Sequence, residues 1–168
     1  MDGTLETIDG RPALRFVRRL PHSVERVWRA VSEPAELERW FPAAADWTPA
    51  AGETIEAYGM TGEVTEVDPP HRLAWSFNGE DFSFDLAADG DGCALVFVHV
   101  FDDRATGAQT AAGWATYFAR LDAHLAGGFL SEEDAHAGWE EVHERYAEHL
   151  GLDPEPGRRF AAQLRARG

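Results

Sequence analysis

His99 interrupts an apolar run, "CALVFVHVF" (93–101), and is the sharpest candidate for chemistry in this 168-residue chain. On a strand it shares a face with Leu95, Phe97 and Phe101. An imidazole in that position can hydrogen-bond a ligand's carbonyl or serve as a general acid–base. The competing account is a core histidine satisfied by backbone or by a neighbouring hydroxyl. The same alternation groups Trp75 with Phe77, and Phe82 with Phe84. If those faces share one side, they enclose an aromatic chamber together with Trp40, Trp114 and Tyr117. That set is the candidate ligand-binding site, although each ring singly is what any core uses. Ser83 and Asp85 fall on the opposite parity from Phe82 and Phe84 and are expected at solvent. No Ser–His–Asp or Cys–His triad follows from order or spacing, so His99 is the only candidate catalytic residue. Cys93 opens a strand beside a turn without a basic neighbour and reads as an inert thiol.

Metal chemistry has less support. "VHERYAEH" (142–149) suggests a zinc helix, but His149 lies six residues after His143 instead of four. At about 100° per residue the two rings point well apart. His136, Glu140 and His143 do align at i, i+4, i+7 and could bind a divalent ion. On an acidic helix such as this one the same spacing more often marks a solvated face. "DGDG" (89–92) lacks the third acidic position and the terminal Glu of a calcium loop and reads as a hairpin turn. Neither a metal nor a cofactor is expected.

The elements that position these residues can be read from periodicity. "ALRFVRRL" alternates as a strand ending at Pro21. Ser23 then caps a short helix with Val24, Val27, Trp28 and Val31 on one face. Pro34 opens a second, with Leu37, Trp40 and Phe41 as its apolar side. From Trp47 to Asp102 run short β-rich stretches, "TIEAYG", "GEVTEV", "RLAWSFN", "DFSFDLA" and "CALVFVHVF". Their separators include Asn78-Gly79 and Asp-Gly pairs, so the strands are expected to be antiparallel neighbours. A long helix over 106–126 buries Trp114, Phe118, Leu121 and Leu125 and ends at Gly127-Gly128. After Phe129 comes a helical extension: one helix opened by Ser131, with Trp139, Val142, Tyr146 and Leu150 on its apolar face, then a short one carrying Phe160 and Leu164. The reading is a domain over 1–128 and an extension over 129–168. The extension could pack on the domain, over a cavity mouth, or on a second copy in a homodimer.

Composition narrows the partners. Thirty acidic against fifteen basic residues give a charge of −15, which repels phosphate backbones and anionic membranes, so neither nucleic acid nor a membrane is expected as a partner. All fifteen basic residues are arginine, which excludes a lysine Schiff base and a Walker-type lysine. A single cysteine excludes an internal disulfide. With no signal-peptide pattern and no apolar run long enough to span a bilayer, a cytoplasmic location is expected.

The element order, with "LPHSVERVWRAVSEPAELERWF", "GEVTEVDPPHRLAWSF", "LVFVHVF" and "GWATYFARLDAHL", resembles the Hsp90-ATPase-activator-homologue branch of the START-like (SRPBCC, helix-grip) superfamily. The resemblance covers about Leu14–Gly128. It implies an α+β fold, a curved antiparallel sheet gripping a long C-terminal helix around an apolar cavity. It also implies a function: binding a hydrophobic or aromatic small molecule. Two other classes stand beside that one, a cyclase- or hydrolase-type enzyme using His99, and a co-chaperone-like interaction module.

Overall fold

Among the described residues seven antiparallel strands form one sheet. The computed structural model describes residues 2–42, 52–57 and 60–168; Trp47, Tyr58 and Gly59 of the expected β-rich run lie outside them. The strands are β1 Gly3–Ile8, β2 Arg11–Leu20, β3 Thr54–Ala57, β4 Met60–Asp68, β5 Arg72–Phe77, β6 Glu80–Asp89 and β7 Gly92–Val100, and they neighbour one another in the order β1-β2-β7-β6-β5-β4-β3. The helices are α1 Val24–Ser32, α2 Pro34–Leu37, α3 Gly107–Leu125, α4 Glu132–His136, α5 Trp139–Leu150 and α6 Glu155–Arg167.

One strand was not anticipated. β1 pairs with β2 through Asp9-Gly10, both at positive φ (50° and 79°). That Asp-Gly pair is as good a hairpin signal as Asn78-Gly79, which makes the β5–β6 turn at φ 50° and 77°. The strand around it, "GTLETI", carries little apolar content because it lies at a sheet edge.

The register settles the parity question. Trp75 faces Phe82 across β5–β6, while Phe84 faces Phe97 and Phe82 faces His99 across β6–β7. Leu14 and Phe16 of β2 face His99 and Phe97. All of these lie on the side that α3 covers with Trp114, Phe118, Leu121 and Leu125. Arg18 shares that face without breaking the pattern. Its guanidinium lies over the Phe118 ring, 5.5 Å from the centroid, and makes a bidentate pair with Asp122 of α3.

The two short helices close one end of this grip. Ser23 caps α1 by accepting from the Arg26 N–H, and α2 is a single turn, shorter than its apolar side suggested. Trp40 lies just past that turn, fully buried, with its indole N–H on the Ala30 carbonyl at 2.8 Å. Trp28 remains half-buried.

The extension is also corrected. Its expected first helix is two, α4 and α5, broken at Ala137-Gly138. α5 docks on the domain: Tyr146 and Ala147 are buried in the same core as Phe16 and Phe118, and the Tyr146 ring meets Phe16 at 6.3 Å. Trp139, Val142 and Tyr146 are therefore used within the chain, and of the face proposed for a homodimer only Phe160 and Leu164 remain exposed. Among the described residues no helix is long and apolar enough to cross a membrane.

Candidate functional site

The sheet-to-α3 interior is a continuous set of rings with one polar line through it. Trp75 stacks on Phe82 (5.3 Å, 6°), and Phe82 in turn lies flat on His99 (4.3 Å, 21°). Phe97 packs between Phe84 and Trp114, at 5.0 and 4.5 Å. Trp40 reaches Phe84 from the closed end at 6.3 Å, and Phe101 meets His99 at 5.5 Å. The structure thus gathers Trp40, Trp75, Phe82, Phe84, Phe97, His99, Phe101 and Trp114. Phe77 is half-buried at the end of β5. Tyr117 stands at the margin: it touches Trp114, but its hydroxyl donates to the Glu132 carboxylate at 2.5 Å and its ring meets His136.

His99 has both ring nitrogens engaged. The Trp114 indole N–H, which can only donate, points at Nδ1 from 3.0 Å. Nδ1 therefore carries the lone pair, and the proton sits on Nε2, which donates to Glu80 Oε1 at 2.6 Å. Partner chemistry fixes one neutral tautomer. A general base needs that same Nδ1 lone pair, so the arrangement orients the ring and the indole instead of presenting a free base. The satisfied-histidine account applies, although the partners are an indole and a carboxylate and not backbone or a hydroxyl.

Two residues of this site escaped the sequence reading. Glu80 shares the alternation of Phe82 and Phe84, so a charge on the apolar face of β6 was itself the signal. Phe41, assigned only to the second helix, inserts between Trp75 (6.0 Å) and Trp114 (5.8 Å). It comes from the bend after α2, where helical periodicity does not apply.

A buried arginine ties the closed end to the extension. Arg120 of α3 donates to the carbonyls of Leu130, Trp40 and Arg39, and its guanidinium lies near the Tyr117 and Phe129 rings. Beside it, Glu36 accepts from His124 and Arg26. Burial alone would raise the Glu36 pKa, but those two partners hold it below the usual carboxylate value.

The other candidates fall elsewhere. Cys93 is buried and its pKa is raised, chiefly by that burial, which disfavours the thiolate. Ser83 and Asp85 are half-buried on the outer face of the sheet, where Asp85 pairs with Arg72 at 2.7 Å. The break at Ala137-Gly138 separates His136 from the helix of Glu140 and His143, so the three do not share one helical face. His136 bonds the Glu132 carbonyl, Glu140 pairs with Arg165, and His143 is buried against Trp139. Among the described residues no three His, Cys, Asp or Glu side chains gather as a metal would need.

This architecture recurs in solved structures. The crystal structure of CalU16 from Micromonospora echinospora superposes with a TM-score of 0.71 at 23% identity, covering 87% of this chain and 94% of CalU16. Its solution structure gives 0.74 at 19%, covering 92% and 95%. DynU16, a protein of the dynemicin biosynthetic locus, is 26% identical over 70% of this chain with a TM-score of 0.61, and this chain spans 48% of its length. No curated protein matches the sequence. The family model of the Activator of Hsp90 ATPase homolog 1-like proteins matches residues 21–126, more than half of the chain, and the chain belongs to that family.

Proposed function

We propose that this protein binds a hydrophobic, ring-bearing small molecule between the sheet and α3, and performs no chemistry on it. One observation carries the reading: the ring set differs in burial from end to end. Phe16, Phe84, Phe97 and Phe118 are buried at the core, whereas Phe41, Phe77, Phe82 and Tyr117 are only half-buried around Trp75 and Trp114. A ligand can join the aromatic stack where the rings are not already covered. Phe41 stands between the two indoles and is the ring such a ligand displaces. DynU16's place in a biosynthetic locus is in keeping with a small-molecule ligand. An enzyme using His99 would first have to release Trp114 from Nδ1, so the geometry favours binding over catalysis.

Native mass spectrometry of gently purified protein, followed by denaturation, should release an apolar passenger at one per chain. Phe41→Ala should tighten uptake of an apolar probe severalfold and move the emission of Trp75 and Trp114. A clean apo mass, with no probe uptake by either form, sinks the reading. A single stoichiometric protein captured in its place would favour the interaction module.

A further inference from the structure

We propose a second small-molecule site, on the outer face of α3, for a neutral, flat, apolar molecule carrying one hydrogen-bonding group. α3 presents its inner face to the sheet, while the extension covers its outer face only in part. Between the first half of α3, the α4–α5 junction and α6 runs a groove of about 670 Å³. That lies within the roughly 300–1,000 Å³ of small-molecule pockets.

The walls of the groove are aromatic and held in place. Trp139 lies parallel to His143 (5.1 Å, 9°) and meets Phe160 at 5.9 Å. Phe160 and Leu164 extend the wall along α6 while remaining 36% and 51% exposed. α6 is pinned beside α5 by Arg158 on Glu144 and by the Arg165–Glu140 pair.

The floor is polar and open. Gln109 and Thr110 line it from α3, half-buried, and their side chains have no protein hydrogen-bond partner among the described residues. Gly113 lies between them and the core residue Trp114, in the interior of a 19-residue helix where glycine is unfavourable. A Cβ built on Gly113 would meet nothing within 4 Å. The unfilled space in front of this glycine belongs to the groove.

Charge selects the ligand class. Both rim carboxylates already have partners, Glu140 in Arg165 and Glu141 in Arg145 at 3.5 Å. Among the described residues the floor therefore offers an amide and a hydroxyl beneath two aromatic rings, and the arginine that lines the groove, Arg165, is already held by Glu140. The chain's net charge of −15 repels anions further.

The test is a titration of the ¹⁵N-labelled full chain with N-phenyl-1-naphthylamine, a neutral diarylamine with one N–H donor, following the indole N–H signals. The Trp139 signal should shift and saturate, whether or not the interior signals of Trp75 and Trp114 also move. Gly113→Phe, which fills the groove from α3, should weaken this binding by about tenfold without lowering the thermal midpoint. The anionic 8-anilinonaphthalene-1-sulfonate should bind several times more weakly. The proposal is overturned by a stationary Trp139 signal, by a titration unchanged in Gly113→Phe, or by equal binding of the anion. It is also overturned if Trp139 shifts with protein concentration alone, since a second copy would then be the occupant. Shifts confined to Trp75 and Trp114 would overturn it while leaving the interior site standing. Should Gly113→Phe fail to fold, Trp139→Ala carries the same test, read by the fluorescence of the bound amine.

Discussion

His99 and His143 are equally hidden, 6% and 2% exposed, yet opposite means keep them in place. His99, in the sheet-to-α3 interior, is wired: an indole donates to one nitrogen and a carboxylate accepts from the other. His143, in the extension, is packed. Its ring lies parallel to Trp139, and its Nε2 would be 2.0 Å from a Cβ built on Gly157, while Glu144 faces its Nδ1 from 3.7 Å, longer than a hydrogen bond. The interior thus depends on specific hydrogen bonds, and the extension on the close approach of two helices.

The contrast breaks most readily at Gly157, which is buried because α6 passes directly over the imidazole. Gly157→Leu cannot fit beside His143, and overpacking of this kind costs about 3 kcal/mol. The loss should be local. Amide exchange of α6 should rise to that of a freely unfolding helix, while the Trp114 indole signal stays unmoved. Unchanged α6 protection would show that its docking rests on the Arg158 and Arg165 pairs instead.

The matching break in the interior is Trp114→Phe, which keeps an aromatic ring and deletes the indole donor to His99 Nδ1. Leaving a buried acceptor unpaired costs about 2 kcal/mol, measurable by chemical denaturation. The His99 tautomer should loosen too, visible as averaging of its two ¹⁵N shifts. If stability and tautomer both survive, the hydrogen bond is incidental and the ring packing of Phe82 and Phe97 suffices.

How much of this was legible in the sequence differs between the same two regions. Strand alternation put Phe82, Phe84, Phe97 and His99 on one face, because in a paired sheet parity alone decides the side. Helical period likewise placed Trp114 and Phe118. Neither rule reaches Phe41, which lies in a bend, nor tells that Trp114 would bond His99, a contact fifteen residues apart set by how α3 crosses the sheet. In the extension, the acidic run from Ser131 suits a single helix, and the break at Ala137-Gly138 has no signal in that run beyond one glycine. The i, i+4, i+7 alignment of His136, Glu140 and His143 assumed that single helix and dissolves without it. Burial of His143 could not be read at all, since it depends on a glycine fourteen residues later on another helix.

A smaller effect of the packed ring is on the pH dependence of the extension. Burial lowers the pKa of His143 from its ordinary 6.5, Arg158 acts in the same direction, and Glu144 opposes both. A histidine whose folded pKa lies below its unfolded value is protonated first in the unfolded chain. Its contribution to stability is therefore present above about pH 6.5 and is lost as pH falls through the folded pKa. Glu36 and Glu144, the latter held by Arg158, also lose stability in acid, but both carboxylate pKa values are lowered from 4.5, which confines their effect to below that pH. Between those limits the fall in stability should be modest and should appear first as faster exchange of α6 amides. His143→Phe, which can still lie flat on Trp139, should remove the pH dependence of α6 and leave that of the sheet unchanged. A slope that persists in His143→Phe would move the titrating group to another histidine and break the distinction between the packed ring and the wired one.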